Sequence, residues 1–154
     1  MKQRHSFTYL LYHLVFRTKH REAVFRNLAD EQRLFGLFKE KAHQLDGRIE
    51  EFGSWYDHVH VLARIRPTLT LSDFYRQLKG YRSRAWNLKE VGNTLKWADG
   101  VYATTVNPYH NEEIRTYIRN QRQHHKQKNL VSRWEEPTSA RPSDSPLGLP
   151  AGHL

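Results

Sequence analysis

The apolar residues of this chain follow a period of two in some stretches and a helical period in others. Residues 6–18 are apolar on both faces, which is typical of a central strand in a sheet. Residues 48–56 and 57–66 have the pattern of two further strands, and the short link between them predicts that they pair directly. In the last of these strands, the alternate apolar positions are expected to face the core: Val59, Val61, Ala63 and Ile65.

Helical spacing of apolar residues predicts two helices that alternate with these strands. The first covers about residues 29–45 and ends at Asp46-Gly47, a favourable helix stop. The second follows Pro67 and has Ser72 as its candidate N-cap. It carries a continuous apolar stripe from Leu71 to Leu88, so one of its faces is expected to pack on the sheet.

The last third of the folded region predicts a hairpin and one more helix. Residues 95–106 have the pattern of a hairpin that turns at Asp99-Gly100. Asn111 is the candidate N-cap of a helix that runs to about Lys126. The element order matches the split βαββαβ pattern. We therefore predict an α+β, ferredoxin-like antiparallel sheet with an extra C-terminal helix.

Two histidines lie two residues apart in the strand of residues 57–66. Side chains at this spacing share one face of a strand, roughly 7 Å apart. Because the apolar residues take the other face, His58 and His60 are expected on the face that the two helices leave open. Two imidazoles that converge in this way are candidate metal ligands, although a pair of histidines alone is a common pattern in a chain with 10 histidines.

The final helix places Tyr117 and Gln121 one turn apart on the same helix face, about 6 Å apart along the axis. A tyrosine can act as a covalent nucleophile, and a glutamine oxygen can complete a divalent metal site. On spacing alone, the alternative that Ile114, Tyr117 and Ile118 form a packing stripe is favoured about two to one.

Composition limits the classes of function. The net charge of +9 favours a polyanionic partner, with nucleic acid first and an anionic membrane surface second. No apolar run is long enough to span a membrane, and we find no signal peptide, so the expected location is the cytoplasm. The absence of cysteine excludes disulfides, thiolate ligands and a cysteine nucleophile.

The chain changes character near residue 128. Residues 128–154 are rich in proline, serine and glycine, and their charges cancel. We predict a domain at residues 1–127, which carries the whole net positive charge, followed by a disordered tail at residues 128–154.

Five sequence motifs, taken together, resemble a known family. The chain has YHLVFRTKHR near its start, then DHVHVL in a strand, LKGYRSR on a helix, and TV before YIRNQ. Their order and spacing resemble the HUH-type single-tyrosine transposases of small single-stranded-DNA insertion sequences, over roughly residues 6–124.

This resemblance implies a role for each candidate residue. His58 and His60 would be metal ligands, Tyr117 the nucleophile, and Gln121 the third protein ligand of Mg²⁺ or Mn²⁺. In relatives that are repeat-associated tyrosine transposases, the residue corresponding to Gln121 is often asparagine, so the glutamine favours the insertion-sequence branch.

The resemblance also implies a substrate and an assembly. Members cleave and rejoin single-stranded DNA through a 5′-phosphotyrosine link at hairpin-bearing element ends. They act as homodimers in which the tyrosine helix of one chain completes the histidine site of the other. Six basic residues are candidates for DNA contact, although each alone is more often a solvated charge: Arg17, Lys19, Arg21, Lys79, Arg82 and Arg84.

Two other classes of function stay open at this level. A non-catalytic domain that binds single-stranded DNA or RNA can share the same element order, but it needs aromatic side chains on the open face of its sheet. The strand with the histidines offers His58, His60, Leu62 and Arg64 there, which is a poor base-stacking platform. A related HUH nickase of the replication or conjugation type is a weaker alternative, because this chain is short.

Overall fold

Four strands form one antiparallel sheet, which confirms the predicted ferredoxin-like fold class. The structure is a computed structural model that describes residues 6–88 and 92–135, without the side chains of Tyr81 and Arg82. The sheet order is β2-β3-β1-β4. Its strands have these bounds: β1 Leu11–Arg17, β2 Arg48–Trp55, β3 His58–Arg64 and β4 Tyr102–Thr105.

Helices α1 (Leu28–Gln44) and α2 (Leu71–Asn87) cover the first face of the sheet. The main core lies between them and the strands, and it includes Val59, Val61 and Ala63 of β3, as the alternation predicts. Asn27 caps α1, because its side chain accepts a 2.9 Å hydrogen bond from the Asp30 N–H. None of the helices in the described part of the chain has the length and apolar composition that a membrane span needs.

The cap predicted for α2 is wrong by two residues. Thr70 is the N-cap, and its Oγ1 accepts a 3.1 Å hydrogen bond from the Asp73 N–H. Ser72 lies inside the first turn and is exposed. Threonine and serine are both good caps, so composition alone does not separate the two positions.

The predicted hairpin at residues 95–106 is also wrong. Both parts of this segment run antiparallel to β1: β4 pairs with it directly, and Trp97 forms a bridge with Thr18. The interruption between them contains Gly100, whose φ of 76° favours glycine. The segment is therefore one interrupted edge strand, and the Asp99-Gly100 pair forms a kink in it. Strand β1 is in turn shorter than predicted, since it begins at Leu11.

The predicted C-terminal helix is divided into α3 (Glu112–Arg119) and α4 (Gln121–Gln127). The break is at Asn120, whose φ of −103° and ψ of 27° leave the helical region. Asn111 flanks α3 but its side chain makes no capping bond. Its amide instead donates to the carbonyl oxygens of Asn107 and Pro108, and its Oδ1 accepts from Arg115.

Helix α3 lies on the second face of the sheet, where it forms a small apolar cluster. Ile114 and Ile118 of α3 pack against Leu11 and Leu62 of the sheet in this cluster. The helix approaches so closely because β2 has a glycine beneath it: a Cβ atom at Gly53 would lie 1.7 Å from the carbonyl oxygen of Ile118. Any larger residue would force the backbone of α3 away from the sheet.

The chain beyond α4 returns across α3. A 3₁₀ turn at Ser132–Trp134 places the Trp134 ring against the cluster of Leu11, Leu62, Ile114 and Ile118. Residues 136–154 lie outside the described residues, and the domain boundary at residue 127 and the disorder of the tail stay predictions.

We expect Gly53→Ala to destabilise the fold, because the added methyl group overlaps a backbone oxygen that no side-chain rotation can move. Overpacking of this kind costs about 1–3 kcal/mol or more in the free energy of unfolding. Urea denaturation followed by circular dichroism measures the change.

The matched control is Gly36→Ala in α1, where a Cβ atom meets nothing within 4 Å. Here alanine restricts the unfolded chain and favours the helix, so we expect a gain of about 0.4–1 kcal/mol. Equal stability of Gly53→Ala and the wild type would contradict the close approach of α3 to β2.

Candidate active site

His58 and His60 lie on the second face of the sheet, as the alternation predicts, but this face is covered. His60 is fully buried, and His58 is only 5% exposed. Helix α3 of the same chain supplies the cover together with the returning segment at residues 129–135. A base-stacking platform on this face is therefore not present among the described residues, which disfavours the RNA-recognition alternative.

Each histidine has its Nδ1 atom held by a neighbouring side chain. Asp57 Oδ1 lies 2.8 Å from His58 Nδ1, and His13 Nε2 lies 2.8 Å from His60 Nδ1. Histidines that ligate metals are commonly held in this way, because the partner fixes the ring and the tautomer. Both Nε2 atoms are thereby left to face the same space.

His13 is a residue of this site that the sequence reasoning missed. It is fully buried on β1 and stacks on His60, with ring centroids 5.1 Å apart. In the β1–β3 register, His13 pairs with Leu62 and Val15 pairs with His60, so the two histidines are diagonal neighbours on one face. The sequence feature that could have identified His13 is its position among the apolar residues of β1.

Burial and local charges lower the pKa of two of these histidines and raise the pKa of the third. Burial, followed by the charge of His60, lowers the pKa of His13 to about 3. Burial also lowers the pKa of His60. Burial opposes protonation of His58 as well, but hydrogen bonds to Asp57 and Glu135 outweigh it and raise its pKa to about 9.

Tyr117 lies on α3 with its ring 6.0 Å from the ring of His60. Its hydroxyl donates a 2.5 Å hydrogen bond to Glu135 Oε1 and accepts a 3.1 Å bond from the Val131 N–H. Burial raises the pKa of the phenol, and the hydrogen bond to the Glu135 carboxylate raises it further. One chain thus brings the predicted nucleophile and the predicted histidine pair together.

Gln121 is fully buried next to this pair. Its Nε2 donates to the backbone oxygen of Tyr117 at 3.2 Å, whereas its Oε1 has no hydrogen-bond partner. Its Cγ atom would lie 3.3 Å from a Cβ atom at Gly53, so Gln121 packs over this glycine. Gly53 in turn pairs with His60 across the sheet. A buried oxygen without a partner is costly, and a hard divalent cation would satisfy it, so the residues present fit a metal site.

Two further side chains reach the histidines and were not predicted. Glu135 Oε2 lies 3.0 Å from His60 Nε2 and 3.4 Å from His58 Nε2. His125 Nε2 lies 3.2 Å from His58 Nε2. His125 lies four residues after Gln121, so helical spacing could have indicated it, but no local pattern marks Glu135.

The candidate DNA-binding residues come from two parts of the chain, the end of β1 and helix α2. Arg17, Lys19 and Arg21 lie at the end of β1 that pairs with His58, and Arg21 forms a 3.6 Å ion pair with Asp57. The other three lie on α2, which covers the first face: Lys79, Arg82 and Arg84. Lys79 donates to the carbonyl oxygens of Ala98 and Gly100, Arg84 is exposed, and the side chain of Arg82 is outside the described residues.

The fold is similar to those of two solved transposase structures. A putative transposase from Deinococcus radiodurans R1 is 27% identical with a TM-score of 0.59, and the match covers 79% of this chain and 97% of that one. The REP-associated tyrosine transposase bound to a REP hairpin has a TM-score of 0.58 at 14% identity, over 81% of this chain and 74% of that one. The second likeness concerns the fold alone.

Sequence comparison gives the family. The family model described as "Transposase IS200 like" matches residues 6–121. The transposase for insertion sequence element IS200 from Salmonella typhimurium is 31% identical over 117 residues, which is 71% of this chain and 75% of that protein. The transposase of the same element from Salmonella typhi matches to the same extent. The chain therefore belongs to the IS200-like transposase family.

Proposed function

We propose that this DNA transposase cleaves and rejoins single-stranded DNA through a 5′-phosphotyrosine intermediate, with a divalent metal and at hairpin-bearing ends. The observation that carries the proposal is the placement of Tyr117 over the histidine pair, with its ring 6.0 Å from that of His60. Packing alone does not explain a buried tyrosine, two oriented imidazoles and a glutamine oxygen without a partner in one place.

His58, His60 and Gln121 are the residues that would hold Mg²⁺ or Mn²⁺. The ion, when bound, would neutralise and polarise the phosphate that is attacked. Asp57 and His13 hold the outer nitrogens of the two imidazoles, so their inner nitrogens are oriented before any ion arrives. The backbone of Tyr117 holds the amide of Gln121 in the same way, through the Nε2 hydrogen bond.

Tyr117 would supply the nucleophile for strand cleavage. Its Oη forms a bond to phosphorus while the bond from phosphorus to the 3′ oxygen breaks. The phenol loses one proton and the departing 3′ oxygen gains one, so the step balances and leaves a 5′-phosphotyrosine and a 3′-hydroxyl. The hydroxyl reverses the step on another end, and no external energy source is needed.

The DNA partner is proposed from charge and from a structural neighbour. The net charge of +9 supports binding to a phosphate backbone. The neighbouring REP-associated tyrosine transposase was solved with a REP hairpin. The cluster of Arg17, Lys19 and Arg21 lies at the same end of the sheet as His58, which supports a DNA path along that end. The cytoplasm stays the proposed location.

We expect Tyr117→Phe to abolish covalent attachment, because the variant keeps the ring and loses the attacking oxygen. Cleavage of hairpin-flanked single-stranded DNA with Mn²⁺ should fall on the order of 10⁴-fold or more. A denaturing gel measures the covalent protein–DNA species. Tyr109→Phe is the matched control, since Tyr109 is 73% exposed, and it should retain the adduct. A covalent species with Tyr117→Phe would exclude Tyr117 as the nucleophile.

A homodimer with shared sites is proposed from the family resemblance, whereas the geometry of one chain supports a site completed within that chain. Co-expression of a Tyr117→Phe chain with a His60→Ala chain distinguishes the two. If the sites are shared, mixed dimers contain one intact site, and about a quarter of the wild-type cleavage returns. If each chain completes its own site, every site is defective and the mixture stays as inactive as either variant.

We expect His13 to act as a positioning residue for the metal, because it is the partner of His60 Nδ1. His13→Leu removes that partner and should weaken Mn²⁺ binding by about 10- to 100-fold. His13→Gln keeps a hydrogen-bonding group and should restore part of the affinity. Titration followed by electron paramagnetic resonance measures free Mn²⁺. Wild-type affinity in His13→Leu would show that His13 has only a packing role.

A further inference from the structure

The part of the chain that follows the family match folds back onto the site. The family match ends at residue 121, yet residues 129–135 lie across α3 and reach Tyr117 and the histidines. Three contacts fix this segment: Val131 N–H donates to Tyr117 Oη, Trp134 packs on the Tyr117 ring with centroids 5.0 Å apart, and Arg133 O accepts from Tyr102. The next residue, Glu135, is thereby placed over the histidine pair.

The distances around Glu135 are those of a hydrogen bond and an ion pair in this structure, and they also match those between ligands that share one ion. Metal–nitrogen and metal–oxygen bonds of about 2.0–2.2 Å put neighbouring ligand atoms about 3.0–3.5 Å apart in octahedral or tetrahedral geometry. Glu135 Oε2 lies 3.0 Å from His60 Nε2 and 3.4 Å from His58 Nε2. The carboxylate therefore has the spacing of a ligand with respect to both histidines.

His125 extends the same cluster from α4. Its Nε2 lies 3.2 Å from His58 Nε2 and 3.8 Å from Glu135 Oε1. Ligand atoms of His58, His125 and Glu135 all lie within 4.8 Å of one another. The ring is held in this position because it stacks on Trp55, with centroids 5.0 Å apart and planes 8° apart.

The other functional groups of these side chains are already in use. Asp57 and His13 engage the Nδ1 atoms of His58 and His60, which leaves both Nε2 atoms for the cluster. The second oxygen of Glu135 accepts the hydrogen bond from Tyr117 Oη. A single carboxylate can therefore contact an ion through Oε2 and position the tyrosine hydroxyl through Oε1.

We propose that Glu135 and His125, which lie beyond the matched family region, are additional protein ligands of the divalent metal. The inference rests on the proposed metal dependence and adds an anionic ligand to a set that otherwise has only neutral ones. It gives the segment that follows α4 a role in the active site, where it joins the metal to the Tyr117 hydroxyl.

Metal binding by the full chain tests this inference. Mn²⁺ is titrated into wild type, Glu135→Gln and His125→Ala, and free Mn²⁺ is measured by electron paramagnetic resonance. Each variant should weaken binding by about tenfold or more, since even partners of metal ligands contribute about 10- to 100-fold. The absorption spectrum of bound Co²⁺ is a second readout, and it should change in both variants because it reports the ligands directly.

Two exposed positions supply matched controls, Glu113→Gln on α3 and His43→Ala on α1. Both should bind Mn²⁺ as the wild type does. Unchanged or tighter binding in Glu135→Gln, with an unchanged Co²⁺ spectrum, would overturn the inference, and tighter binding would mean that the carboxylate competes with the ion.

A His58→Ala variant separates this inference from the proposed function. If only His58→Ala loses Mn²⁺ binding, and Glu135→Gln and His125→Ala bind as the wild type does, the proposed metal site is supported. The inference that Glu135 and His125 are ligands is then overturned. Absence of Mn²⁺ and Co²⁺ binding in the wild type would overturn both proposals.

Discussion

The contact between the α3 backbone and Gly53 is the constraint on which the rest of the site depends. The two helices after β1 and β3 cover the first face of the sheet, and the histidines lie on the other face. The tyrosine reaches them only because α3 rests directly on β2, with the Ile118 oxygen in the place that a Cβ atom of residue 53 would occupy. A larger residue at position 53 would hold α3 off the sheet and would carry Tyr117 away from His60.

The burial that α3 causes also changes the pKa values of the histidines. With α3 in place, His13 and His60 lose contact with water, and burial lowers the pKa of both. A neutral imidazole is the form that binds metals, which suits His60. Burial opposes protonation of His58, but hydrogen bonds to Asp57 and Glu135 raise its pKa to about 9, so a metal ion would have to displace a proton there. The hydrogen bond between His13 and His60 and the bond of His58 to Asp57 replace water as partners of the outer nitrogens. Arg21 in turn pairs with Asp57, so one of the basic residues expected to bind DNA also contacts the partner of His58.

Local periodicity predicted the parts of the site that lie within single elements. Alternation along β3 separated His58 and His60 from Val59 and Val61, and this separation is confirmed. Helical spacing placed Tyr117 and Gln121 together, and they remain bonded although the helix breaks at Asn120 between them. Neither strand alternation nor helical spacing indicates which distant segments pack together.

The wrong hairpin and the unpredicted position of Glu135 follow from that limit. An Asp-Gly pair between two apolar runs indicates a turn, but it does not tell whether the runs pair with each other or with β1. The polar stretch after residue 127 has the composition of a tail, yet one residue in it, Trp134, has an apolar cluster on α3 to pack against. The position of Glu135 depends on that contact, so no pattern within its own segment could have identified it.

Under the proposed function, the packing of Trp134 on Tyr117 would also affect how a phosphate reaches the tyrosine. Tyr117 is 2% exposed, and its hydroxyl bonds both to Val131 and to Glu135. The hydrogen bond from the Val131 N–H joins two neutral groups and contributes a net stabilisation of about 0.5–1.5 kcal/mol. The ring of Trp134 is half-buried. Hydrogen bonds between a cationic side chain and a phosphate are roughly twice as strong as neutral ones, so under the proposed function DNA contacts would compete with this bond. The carboxylate of Glu135 is bound more firmly, because two histidines face its Oε2 atom. Under the proposed function, access to Tyr117 would require the segment around Val131 to move, while Glu135 could keep its place between the histidines and the hydroxyl.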